Sequence, residues 1–363
     1  MKFRCERDVL VEAFSSAARA VASRSTLPVL SGVRVQLVGD QLRLAGSDLD
    51  LTIEVDITVA GEADGVAVVP AKLGADILRS LEAGAVNVSI ESEQAQIRSG
   101  RSVFSVRTLI AEEFPRLPET PVGGVTIQAD ELAAAAKQVI QAASHDDARP
   151  ILTGVLMAAE LGGLRLVATD SYRLSVRDLP GTTVLQEGQT VLVPSRALGE
   201  VARLLGAKGE VTLHLGDREA TFVVGTTRVS TRLIEGQYPP YRNLIPQSLP
   251  NKLTVERSAL LEALRRVRLL AKDATPVRLK LGGDSLELVA ITQDVGQANE
   301  DVEATYDGTE MTVAFNPEFL IAGVDAAESD TITLETIDNL KPAVIRAAGR
   351  PEFLYLLMPV RVS

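Results

Sequence analysis

The chain has 363 residues, 46% apolar, 23% charged and 4% aromatic, with a net charge of −11. That length suits two or three domains with cores of Leu, Val, Ile and Ala, and no apolar run approaches the ~18 residues a membrane span needs. A single cysteine, Cys5, excludes an internal disulfide framework. The acidic total lowers the expectation of a nucleic-acid binder without excluding a local basic surface.

The opening MKFRCERDVL carries Lys2, Arg4, Glu6, Arg7 and Asp8 with no apolar stretch of signal length behind them, so a cytoplasmic protein is expected. Cys5 lies in an alternating segment and reads as a small buried strand residue. From Asp8, a candidate N-cap, DVLVEAFSSAARAV sets Leu10, Phe14, Ala17 and Val21 on one face of a predicted helix. A strand, LRLAGSD, follows around Leu44. In AVVPAKLGADIL, Pro70 closes an apolar strand and sits where a second helix would begin. Lys72 and Arg79 are seven apart on that helix and share a face. VNVSIES and FSVRTL then alternate as hairpin strands do, and FPRLPETPVGG breaks the chain.

The same order returns twice. Leu132, Ala136, Val139 and Ala143 repeat the first stripe behind Asp130, and Leu260, Leu264, Val267 and Ala271 repeat it behind Ser258. Leu44, Leu166 and Leu288 are spaced 122 residues apart, and Pro194 and Pro317 follow Pro70 at 124 and 123. VTLHLGD with TFVVGTTRVSTRLI, and ITLETID with FLYLLMPVRV, complete the second and third copies. YPPYRNLIPQSLP marks the second break. The reading is α+β, in three repeated domains with limits 1–121, 122–249 and 250–363.

Three copies in a row leave one free sheet edge at each end, and a head-to-tail dimer of six units would close them. SGRSVFSVR, with Arg98, Arg101 and Arg107 around Phe104 and Val106, is one candidate end. NEDVEATYD, with Glu300, Asp301 and Glu303, is the other, beside Leu269 and Leu270. Solvated surface charge is the competing reading of both. On the second helix of the middle copy, Arg196 and Arg203 occupy the places of Lys72 and Arg79. The third copy has Phe319 and Ala326 there, and its first helix carries Arg265, Arg266, Arg268 and Lys272 instead. Such a basic helix face suits sequence-independent phosphate contact, and a solvated helix face would look similar.

MKF…ERD, TLPVLSGV, VATDSYRLSV, FPRLP, YPPYRNLIP and the terminal YLLMPVRV resemble, in order along the whole chain, the bacterial β sliding clamp family. The resemblance implies a DNA clamp fold: a homodimeric six-domain ring with outer sheets and inner helices. It implies a processivity subunit of DNA polymerase III holoenzyme, itself non-catalytic and without cofactor. The implied partners are double-stranded DNA, a clamp loader, replicative and other polymerases, and mismatch-repair proteins. A peptide pocket is implied at Leu152, Thr169, Tyr172, Arg173, Leu174, Pro239, Leu244, Asn316, Phe319, Val344, Leu357, Met358, Pro359, Val360 and Arg361. Leu, Met, Pro and Val would form an apolar cleft for peptide anchors, and Arg173 would orient the chain.

The chain departs from the family at Ser171 and Tyr172, where members can carry glycine and histidine. It departs again at Asn243, where an arginine can occur, and at Pro150 and Ile151, where tyrosines can contact DNA. Arg24 and Arg149 are therefore the expected DNA contacts in those regions. Against catalysis, His145 and His214 lack a helical zinc partner, no phosphate-binding glycine loop occurs, and TDSYR is too contiguous to supply a nucleophile and a separate base. A hydrolase or transferase with a cleft around Asp146, Asp147 and Asp170 is the enzymatic alternative. A triplicated α+β scaffold that binds proteins without encircling DNA is the other.

Overall fold

The computed structural model describes residues 1–22, 27–205, 209–271 and 275–361. Its α-helices are α1 (Arg7–Ala18), α2 (Ala71–Ser80), α3 (Ala129–Ile140), α4 (Ser195–Leu204), α5 (Arg257–Val267) and α6 (Pro317–Ala326), one pair to each repeat. The stripes that the spacing marks are the buried faces: Leu10, Phe14 and Ala17 in α1, Leu132, Ala136 and Val139 in α3, and Leu260, Leu264 and Val267 in α5.

The helices begin earlier than the candidate caps. Glu6 is the N-cap of α1 and Glu256 that of α5, and the Glu256 carboxylate accepts from the backbone N–H of Ser258 at 3.3 Å and Ala259 at 3.2 Å. Helices α1 to α5 follow their strands without a loop, so the strand's last residue stands at the cap. Asp8 and Asp130 fall in the first turn, where they oppose the helix dipole. Pro70 and Pro194 end their strands, Gly65–Pro70 and Thr190–Pro194, and stand just outside α2 and α4. Pro317 does open α6, behind Asn316, whose side chain caps Glu318 N at 2.9 Å and Phe319 N at 3.3 Å.

The chain divides into two compact units: residues 1–129 with 203–233, and residues 130–202 with 234–363. The first holds a five-stranded and an eight-stranded sheet, the second a twelve-stranded one. The units cut through the second repeat because strands of neighbouring repeats pair. In the first unit Leu51–Thr58 pairs antiparallel with Thr227–Arg232, Ile53 opposite Val229. In the second, Arg173–Pro180 pairs with Arg350–Leu357, Ser175 opposite Tyr355. The two seams occupy the same place in the repeat, since Leu44 faces Val55 as Leu166 faces Arg177.

One strand of each kind is left over. Ser102–Arg107 is an edge of the five-stranded sheet. In Gly296–Asp307, residues 296–303 pair with Ser285–Thr292, and among the described residues nothing pairs with their other side.

Candidate functional site

In the second unit, the seam between Arg173–Pro180 and Arg350–Leu357 gathers most of the residues named for a peptide pocket. Leu174, Val344 and Leu356 belong to one buried cluster with Tyr241, against which Tyr238, Ile151 and Ile245 pack. Leu152, Thr169 and Leu357 are buried too, so they form floor rather than rim. Above them Tyr172 is 60% exposed, Leu244 47% and Met358 39%, while Arg173, Pro239, Asn316, Phe319, Pro359 and Val360 are half-buried. Arg361 is exposed. An apolar floor under exposed Tyr, Leu and Met is a surface that gains by being covered.

The turn 169–173 is held by its own side chains. The Thr169 hydroxyl donates to the Arg173 carbonyl at 2.6 Å and accepts from Ser171 N at 3.1 Å. Ser171 has φ +81°, a left-handed conformation in which glycine is least strained. A glycine at this position would adopt that geometry without strain. The Arg173 guanidinium lies 4.3 Å over the Phe319 ring, and the Tyr172 and Phe319 ring centroids are 6.4 Å apart. The tail is pinned by Met358 N donating to the Tyr172 carbonyl at 2.9 Å and Val360 N to the Ala314 carbonyl at 2.7 Å.

Tyr355, which the residue pattern did not single out, sits beneath this group. It is fully buried, and its hydroxyl donates to the Phe319 carbonyl at 2.9 Å. Burial pushes its ionisation up to about 12, with Arg173 acting in the opposite direction. Because the folded value lies above the unfolded ~10, this phenol's contribution is complete below pH ~10 and is lost as pH rises toward about 12. Stability to urea is therefore expected to fall by about 2 kcal/mol more in the wild type than in Tyr355→Phe across that window. Matched denaturation curves at pH 9 and 12 check it.

The remaining named residues lie elsewhere. Lys72 and Arg79 are exposed on α2, where Arg79 donates to the Ser15 hydroxyl at 3.2 Å and stands 3.5 Å from Asp76. Arg196 and Arg203 are exposed on α4. Arg149 pairs with Asp146 at 3.0 Å and reaches the Ser171 hydroxyl at 3.5 Å. Arg24 and Lys272 lie outside the described residues. On the edge strand, Phe104 is half-buried and Val106 buried, and Leu269 is 75% exposed beside the half-buried Leu270.

Against the enzymatic alternative, the Asp170 carboxylate is occupied by its own turn, and His145 is exposed. His214 Nδ1 lies 2.8 Å from the Pro121 carbonyl. Among the described residues no cluster of His, Cys, Asp or Glu could hold a metal ion, and no helix is long and apolar enough to cross a membrane.

Family models for the DNA polymerase III beta subunit match the chain at residues 1–118 (N-terminal domain), 126–240 (central domain) and 242–361 (C-terminal domain). A beta sliding clamp of Streptomyces coelicolor is 36% identical over the full length of both chains. Among solved structures, a DnaN sliding clamp of Bartonella birtlesii bound to griselimycin superposes with a TM-score of 0.92 at 30% identity, and the Bacillus subtilis sliding clamp with 0.90 at 28%, each covering both chains completely. With its threefold repeat, its seams and three successive family matches, the chain belongs to the DNA polymerase III beta subunit family, the β sliding clamps.

Proposed function

We propose that two copies of this chain join head to tail into a ring of six repeats, limits 1–121, 122–249 and 250–363, threaded by duplex DNA. Sliding-clamp function itself, interaction with DNA and polymerase, and the absence of catalysis follow from the family. The single observation that carries the ring is the unfinished seam. Two of three equivalent strand pairings are made within the chain, and the strands of the third remain, Ser102–Arg107 and Gly296–Asp307. A repeat that pairs by one geometry twice has the surfaces to do so a third time with a second copy.

Within that ring, Lys72, Arg79, Arg149, Arg196 and Arg203, with Arg24, form the DNA-facing set. Their role is delocalised phosphate attraction rather than base reading. The seam pocket receives an extended peptide from replicative and other polymerases, from the clamp loader and from mismatch-repair proteins. Its apolar floor supplies affinity and the exposed Tyr172 and Met358 adapt to different anchors. The protein works in the cytoplasm.

The test is topological. A clamp loader should place the chain on nicked circular DNA, and linearising the circle should release it. A phosphate binder without a ring is indifferent to ends, so equal retention on circles and linear DNA, falling steeply with salt, would overturn the reading.

A further inference from the structure

The geometry points to Asp170 as the positioning residue of the peptide pocket: its carboxylate sets the guanidinium of Arg173 flat against Phe319, and so fixes the wall a bound peptide meets. This inference rests on the pocket reading above.

Asp170 is buried, at 8% exposure, in a turn that otherwise faces solvent at Ser171 and Tyr172. One oxygen accepts from Tyr172 N at 2.9 Å and Arg173 N at 3.0 Å; the other accepts from Arg173 Nε at 3.0 Å. The first pair of bonds closes the turn. The third adds nothing to the backbone and acts on the side chain alone. A buried carboxylate bonded to Nε leaves the flat face of the guanidinium to the ring, which is where it lies, 4.3 Å from the Phe319 centroid.

Arg173 has somewhere else to go. The Arg173–Phe319 pair also borders a cleft of about 550 Å³ whose lining includes the carboxylates of Glu318, Asp325 and Glu328. Glu318 already pairs with Arg268, and Asp325 with Arg257 and Arg265, so the alternative for a freed guanidinium is Glu328, which would draw it off the ring. Phe319 would lose its cap, and Tyr172, whose ring stacks on Phe319 from the exposed side, would lose a neighbour held in place. Asp170 thus acts through Arg173 and needs no contact with the peptide.

Asp170→Asn separates the two functions. The amide oxygen still accepts from both backbone N–H groups, so the turn is kept, and the charge that holds Nε is gone. Binding of a fluorescein-labelled peptide from the clamp-binding segment of the replicative polymerase is measured on the full-length dimer, with the thermal melt and native mass as controls. Affinity about tenfold weaker is expected, the worth of one charge-assisted bond, with melt and mass close to wild type. Phe319→Leu should weaken binding too, and the double variant should be no weaker than the poorer single one, because both remove the same stack. Arg173→Lys keeps the charge pair but cannot lie flat, and it should match Asp170→Asn; if Asp170→Asn melts early, it carries the test. Asp170→Asn with wild-type affinity, or losses that multiply in the double variant, would overturn the inference while leaving the pocket standing. Failure of the wild type itself to bind the peptide would instead sink the pocket reading.

Discussion

Removing Met358–Ser363 is expected to weaken polymerase-peptide binding by at least about 100-fold while leaving the dimer at its full mass. The size follows from what the tail does. Leu357 is the last residue of its strand and fully buried, so truncation after it spares the seam register. Beyond it, Met358 is 39% exposed and Pro359 and Val360 half-buried, an apolar lip with no core role. Its two backbone bonds, to Tyr172 and Ala314, draw the tail across from Tyr172 to the strand that precedes α6. Truncation removes the apolar lip and the amide that fixes the Tyr172 carbonyl together. Burial of two or three apolar side chains at about 1.5 kcal/mol each exceeds the ~2.7 kcal/mol of a 100-fold change. The strands proposed for the ring seam, Ser102–Arg107 and Gly296–Asp307, do not include the tail, so native mass is the control. A truncated chain that still binds the peptide at wild-type affinity would show that the tail is a plain edge segment.

Much of the repeat is legible in the sequence alone. The three stripes in α1, α3 and α5 could be read because a helix buries one face and its period survives sequence divergence. The seams could not be read. Arg173 and Leu357 are 184 residues apart, and nothing local distinguishes a strand that pairs within its repeat from one that pairs with its neighbour. The caps were misplaced for a related reason. Asp8, Asp130 and Ser258 are good caps by residue type, but a helix that follows its strand directly is capped by whatever ends the strand. The residues proposed for the pocket are named by resemblance, which is silent about what braces them. Tyr355 reads as one more apolar strand residue in FLYLLMPV, and Asp170 reads as a turn former. Their roles depend on partners, the Phe319 carbonyl and Arg173 Nε, that only the fold supplies.

The second large effect concerns the open seam, where the repeat dictates a register. Phe104 faces Ile97 as Val229 faces Phe222, and Glu300 faces Leu288 as Val55 faces Leu44. Carrying over the pairing of Ile53 with Val229 sets Ala298 opposite Phe104, and three residues along sets Asp301 opposite Arg101. Asp56, the counterpart of Asp301, does meet Thr226 there, its N–H donating to that carbonyl at 3.0 Å. Arg101→Glu is therefore expected to weaken the dimer about tenfold per seam, and Asp301→Arg likewise; the double charge reversal restores it. Leu269→Asp acts harder. Leu269 is 75% exposed in the single chain, so a charge there leaves the fold alone, yet buried in the proposed seam it would have no partner. A loss of about 3 kcal/mol per seam is expected, more than 100-fold, and because a head-to-tail dimer closed into a ring has two identical seams the loss enters twice. Native mass against concentration reads all four variants. A dimer untouched by Leu269→Asp and indifferent to the swap would mean that the ring closes through another surface.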